Sequence, residues 1–160
     1  MISGYVRPDG RMGIRNHVLV LSSVGCANNV VRRIAQQVEG SVGVENTKGC
    51  GQVGNGIEIM RRCLANLTQN PNVFGTLLVG LGCESTKPME LAEQISRMSD
   101  KPVTAITIQD CGGSLKAVEE GVRIARGMVA RAALVRRVPM PLSKLVLGTN
   151  CGGSDATSGL

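Results

Sequence analysis

The sequence has 160 residues, 42% hydrophobic and 19% charged, with a formal net charge of +6. That length suits one domain, and the composition excludes a disordered or low-complexity chain. With Tyr5 and Phe74 as the only aromatic residues, the stacking platforms of single-strand nucleic-acid binders are missing, so the basic balance points to a small anionic substrate and not to nucleic acid. No apolar run approaches the roughly 18 residues of a membrane span, and the charged, glycine-broken start lacks a signal peptide's apolar stretch. A cytoplasmic protein with no membrane partner is expected. Its six cysteines are then reduced thiols, available as core residues, nucleophiles or metal ligands.

Read in chain order, His17 to Val24 is an apolar run of strand length. Asn29 to Val38 follows with Val30, Val31, Ile34, Ala35 and Val38 on one helical stripe. Ser41 to Glu45 reads as a second strand. Ile57, Met60, Leu64 and Leu67 mark a second amphipathic helix that stops before Pro71. Phe74 to Leu81 is a buried strand, and Pro88 opens a helix carrying Leu91, Ala92, Ile95 and Met98. Pro102 to Ile108 is a β-branched fourth strand. The longest helix runs from Leu115 to about Arg137, where Pro139 and Pro141 break it ahead of a fifth strand, Lys144 to Leu147. Strands alternating with helices predict an α/β domain of doubly wound, Rossmann-like type: a mainly parallel five-stranded sheet with helices on both faces, formed by residues 1–160 as a single domain.

A cysteine in a small-residue turn follows each of these five strands: Cys26, Cys50, Cys83, Cys111 and Cys151. In a parallel sheet all five turns lie on the carboxyl edge, where open α/β folds bind ligands and helix N-termini present free N–H groups. Small buried residues under close backbone packing would give the same pattern at any one position. Five in register point to a pocket for a metal or an anion, with Cys50, Cys83 and Cys151 the candidate ligands. No C-x-x-C spacing is present, so neither a zinc ribbon nor a ferredoxin-like cluster has its local signature. The sixth, Cys63, falls within the second helix beside Met60 and Leu64 and reads as a core residue.

Gly49-Cys50-Gly51-Gln52-Val53-Gly54 fits G-x-G-x-x-G. It sits in the second βα turn, however, and lacks an acidic residue at the usual offset of about 20, so a tight glycine turn is expected and no nucleotide. Glu84 and Asp155 lie beside cysteines on the same edge and are candidates for proton transfer or metal ligation, or equally for capping the helices that follow. Arg7 and Arg15, in a loop with Gly10 and Gly13, have the planar fork that clamps a carboxylate, or else line a solvated entry loop. Asn28 and Ser154, with the backbone of Gly152 and Gly153, are candidates for binding substrate hydroxyls.

Taken in order, Gly4-Tyr5-Val6-Arg7-Pro8-Asp9-Gly10-Arg11-Met12-Gly13-Ile14-Arg15-Asn16, Val24-Gly25-Cys26-Ala27-Asn28, Gly49-Cys50-Gly51, Pro71-Asn72-Val73, Gly80-Leu81-Gly82-Cys83-Glu84 and Cys151-Gly152-Gly153-Ser154-Asp155-Ala156-Thr157-Ser158-Gly159 resemble the altronate/galactarate dehydratase family. The resemblance runs the whole chain. It implies a sugar-acid dehydratase that removes water from an aldonate or aldarate to give a 2-keto-3-deoxy acid, with a divalent metal, Fe2+ or Mn2+. It further implies an amino-terminal domain of a longer chain, whose partners are the remaining carboxyl-terminal region, a small subunit and other copies in a homo-oligomer. The isolated domain is then expected to be inactive. Sulfolactate sulfo-lyase large subunits are similar, so a sulfo-lyase is an alternative, as is a non-catalytic metal- or anion-binding or assembly domain. Asn46 stands where the family commonly has a histidine, and the only histidine, His17, opens the first strand.

Overall fold

A computed structural model describes residues 2–150, 152–154 and 156. The chain runs β1 (Ile2–Val6), β2 (Met12–Gly13), β3 (His17–Ser22), α1 (Asn28–Gln37), β4 (Ser41–Val44), α2 (Asn55–Thr68), β5 (Val73–Gly80), α3 (Pro88–Met98), β6 (Val103–Thr107), α4 (Ser114–Ala133) and β7 (Val138–Met140). Strands β4-β3-β5-β6 form a parallel sheet in that order. Its central strands pair Val18 with Gly75 through Ser22 with Val79, and they read as unbroken apolar runs because helices cover both faces. Val18, Val20, Leu77 and Val79 face α1 and α4. Leu19, Leu21 and Leu78 face α2 and α3, against Leu64 and Leu91.

The expected fifth parallel strand is a correction. Residues 142–144 make a 3-10 turn, and residues 145–150 carry no regular element. The polypeptide is diverted before it can join the sheet: β7 pairs antiparallel with β1, which also pairs with β2, giving a separate three-stranded sheet. Met140, 2% exposed, anchors that pairing. Helix α4 stops at Ala133, short of Arg137, where the Asn16 amide donates to the Ala132 carbonyl at 2.7 Å.

Cys63 is also corrected. The buried residues of α2 are Met60, Leu64, Ala65 and Thr68, a stripe centred between Leu64 and Thr68. Cys63 lies about a third of a turn off it and is exposed.

The architecture gives the parallel sheet two ends of different character. The segments on either side of β2 are sewn to its amino edge, since Arg7 Nε donates to the Pro71 carbonyl at 2.6 Å and the Arg15 N–H to Asn72 Oδ1 at 3.0 Å, just ahead of β5. The cysteine turns lie at the other end.

Candidate functional site

Four turns make the carboxyl edge among the described residues: 23–27 after β3, 45–54 after β4, 81–87 after β5 and 108–113 after β6. They are bonded to one another as well as to their strands. The Gly25 N–H donates to the Lys48 carbonyl at 3.0 Å, and the Ser85 N–H to the Gly49 carbonyl at 3.2 Å. The N–H groups of Ile108 and Gln109 donate to the carbonyls of Gly80 and Leu81 at 2.9 and 3.1 Å. Gly49 sits at the centre of this mesh with φ +106°, and a Cβ there would fall 2.5 Å from the Ser23 carbonyl oxygen. Gly49 is thus required by backbone closure over the end of β3, whereas Gly51 and Gly54 lie in open space and serve the turn by their positive φ, +68° and +59°.

Glu84 is the most buried acid of the edge among the described residues, 2% exposed. Its Oε1 accepts from Ser23 Oγ at 3.0 Å and the Leu81 N–H at 3.1 Å, and its Oε2 accepts from the Gly82 N–H at 2.6 Å. A carboxylate bonded in this way locks the β5 turn onto β3. Gly80 makes room for it: a Cβ there would overlap Glu84 Oε1 and approach the Pro88 ring at 2.7 Å and Ser23 Oγ at 2.9 Å.

Asn28 and Asn46 form a second staple. Asn28 Nδ2 donates to the Asn46 carbonyl and Asn28 Oδ1 accepts from the Asn46 N–H, both at 3.0 Å. The Asn46 amide in turn donates to the Ser23 carbonyl at 3.0 Å. Asn46 thereby performs a local structural task at the position where the resemblance anticipates a histidine.

The thiols of Cys26, Cys50 and Cys83 are exposed on three neighbouring turns. Cys111 is half-buried on the fourth, its thiol pushed up from its ordinary value by burial and then by the charges of Glu120 and Asp110. Asp110 accepts a short hydrogen bond from the Thr107 hydroxyl. Among the described residues no group of three or more His, Cys, Asp or Glu side chains is placed to hold a metal ion. These described residues do not by themselves fit a resident divalent metal. Cys151 and Asp155 lie outside the described residues, while Gly152, Gly153 and Ser154 are exposed.

Arg7 and Arg15 are not brought to this edge. They stand at the opposite end of strands up to eight residues long, a span of roughly 20 Å or more. Arg7 is 5% exposed, with Nε on Pro71 and Nη2 donating to the Arg15 carbonyl at 3.1 Å. Burial lowers its pKa, partly offset by Tyr5 and Asp9. Arg15 is exposed. Sequence reasoning passed over two buried groups. Ser23 is a hydroxyl whose partner, Glu84, is distant in sequence. Lys101, 7% exposed, donates to the carbonyls of Thr68 and Asn70 at 3.0 and 2.8 Å. No local pattern announces either one.

A family model described as "D-galactarate dehydratase/Altronate hydrolase, second domain" matches residues 4–133. The chain belongs to this family. Over 98% of its length it is 29% identical to the altronate dehydratase of Bacillus subtilis and 31% identical to that of Escherichia coli, covering 33% of each. It is 33% identical to the beta subunit of (2R)-sulfolactate sulfo-lyase from Chromohalobacter salexigens, covering 39% of that protein. The chain thus spans about a third of the length of the curated relatives it matches. No solved structure matches it.

Proposed function

We propose that this domain contributes the carboxyl-edge wall of a sugar-acid dehydratase site, in which an aldonate or aldarate loses water to give a 2-keto-3-deoxy acid. The observation that carries the reading is the match of nearly the whole chain to altronate dehydratases, in a fold whose four described cysteine turns share one edge.

The elimination needs a base for the proton α to the carboxylate, an acid for the departing hydroxyl and positive potential for the enolate-like intermediate. Within this chain, the start of α4 supplies the potential: Gly112 and Gly113, with φ +80° and +116°, turn the backbone into a twenty-residue helix whose first N–H groups face the edge. Glu84 and Ser23 hold the β5 turn rigid. Cys50 and Cys83 are the accessible thiols beside it. Glu84 and Asp155 are retained as acid–base candidates, Cys50, Cys83 and Cys151 as candidate ligands of a divalent metal, and Asn28, Gly152, Gly153 and Ser154 as substrate contacts. Any metal draws further ligands from outside the described residues.

Production of 2-keto-3-deoxy acid from altronate and galactarate by the full-length protein tests the reading, with metal content measured after anaerobic purification. Absence of turnover on every aldonate and aldarate, with sulfite released from sulfolactate, would replace it by the sulfo-lyase reading. That reading is favoured by the 33% identity to the sulfo-lyase subunit.

A further inference from the structure

The amino end of the sheet holds positive charge that the described residues do not balance. Lys101 and Arg7 are 7% and 5% exposed, and among the described residues neither is ion-paired with a carboxylate. Buried charges are ordinarily paired, because leaving water penalises each of them heavily. Both cations lean instead on the carbonyls of one short turn. Lys101 Nζ donates to Thr68 and Asn70, and Arg7 Nε donates to Pro71, the next residue. Bonds to consecutive carbonyls put the two cations within roughly 10 Å of each other. Arg11 is the third member of the group: burial, then Arg7 and Arg11, lower the Lys101 pKa to about 8.

Two sources of negative charge stand against these three cations. Asp9 acts on Lys101 from a distance but is bonded to Arg11, at 2.7 Å from Nε and 2.6 Å from Nη2. The last carbonyls of α2 contribute roughly half a charge. An excess of roughly one and a half positive charges is left. Asp100, adjacent to Lys101 in sequence, is exposed. Donors are left over as well. Arg7 uses Nε and Nη2 on carbonyls and Lys101 uses two of its three N–H groups, so Nη1 of the guanidinium and one N–H of the ammonium remain, close to the half-exposed Arg11.

We infer that Arg7, Arg11 and Lys101 form a second anion site, at the end of the sheet opposite the cysteine turns, and that it takes a phosphoryl group. A phosphate monoester carries about −1.5 to −2 charges at pH 7 and three free oxygens, one for each cation, and matches the excess. A carboxylate brings one charge and two oxygens. The guanidinium forks of Arg7 and Arg11 suit either geometry, so charge and oxygen count decide.

Binding of inorganic phosphate to the chain is the test, at constant ionic strength made up with sodium chloride. The melting temperature should rise saturably, with a Kd of about 1 mM and a gain of about 4–7 °C at roughly twenty times that concentration. Arg11→Gln, at an exposed position, should weaken binding about tenfold. Asp9→Asn should tighten it by removing the competing charge, and Arg33→Gln, an exposed cation on α1, should leave it unchanged. Phosphate should also raise the Lys101 pKa, followed through its ε-carbon resonance, since a bound anion favours the ammonium. Glycerol phosphate separates the two sources of the group: binding at least as tight as that of phosphate assigns the site to a phosphomonoester, and weaker binding assigns it to the free ion. No saturable gain, a loss in Arg33→Gln as large as in Arg11→Gln, an unmoved Lys101 pKa, or acetate binding as tightly as phosphate each overturns the inference. Binding and not turnover is read, so failure here is distinct from failure of the dehydratase assay.

Discussion

Glu84 shows how much of the edge hangs on one side chain. Three donors converge on its carboxylate, and truncation leaves the Leu81 and Gly82 N–H groups without their acceptor in a buried site. Glu84→Ala should therefore lower unfolding stability by about 2–4 kcal/mol, measured by urea denaturation. Gly80→Ala approaches the same point from the other side. Its Cβ has nowhere to go among Glu84, Pro88 and Ser23, and we expect a loss of about 1–3 kcal/mol with the same measurement. An unaffected midpoint in both variants would show that the carboxylate lies elsewhere. The two arginines divide in their effects. Arg7 donates to two carbonyls from two separate nitrogens of its planar fork, which lysine lacks, so Arg7→Lys should cost about 1–2 kcal/mol of stability. Exposed Arg15 should tolerate lysine. In the full-length enzyme Arg15→Lys also distinguishes the two sheet ends: we expect unchanged kcat/KM, whereas a tenfold or greater fall would put the substrate carboxylate at the amino edge. The sequence placed Glu84 on the edge correctly by its neighbour Cys83. Its burial was not legible, because that depends on Ser23, sixty-one positions away.

At the scale of elements, the helices and parallel strands were legible because each carries its own period, 3.6 or continuous apolar. The small sheet was not. β2 has two residues and β7 contains Pro139, so neither has a pattern, and their pairing is a tertiary event that also removes the chain from the expected fifth strand. Leu67 shows the same limit: its spacing fits the α2 stripe, but no strand lies outside β4 to cover it, and it remains 45% exposed. Lys101 joins two elements, with its ammonium on the final carbonyl of α2 and its backbone two residues ahead of β6. Burial, then Arg7 and Arg11, lower its pKa from 10.5 to about 8, with Asp9 opposing. Between those values the unfolded chain binds more protons than the folded one, so stability rises with pH across the window and the gain is lost as pH falls through about 8. Thermal unfolding of the wild type and Lys101→Met from pH 7.5 to about 10.5 should show the wild type gaining on the variant, by on the order of 3 kcal/mol at most. Parallel curves would refute the shift.

At the scale of the whole molecule, the described residues form consolidated cores and leave the carboxyl edge without a converging acid and base. Two cores lie on either side of a four-stranded sheet and bury both faces of its central strands, which is the condition for cooperative unfolding in a domain of this size. The carboxyl edge is tied together by hydrogen bonds between its turns. Glu84 and the Asn28–Asn46 pair spend their polar atoms on neighbouring turns, the exposed thiols do not gather with other ligands into a metal-holding group among the described residues, and the arginines stand at the far end. Proton abstraction and departure of a hydroxyl both need groups aimed at one substrate carbon, and the described residues supply a scaffold and helix N–H groups for that carbon without a converging acid and base. The 160-residue chain should accordingly unfold in a single cooperative transition yet release no 2-keto-3-deoxy acid from altronate or galactarate above the uncatalysed rate, whereas a polypeptide extended to the full length of the relatives should. A coupled keto-acid assay on both proteins at equal concentration checks this. Turnover by the shorter chain at a comparable rate would mean that the edge already contains its acid and base, and would direct attention to Glu84, Cys151 and Asp155 as the residues to substitute next.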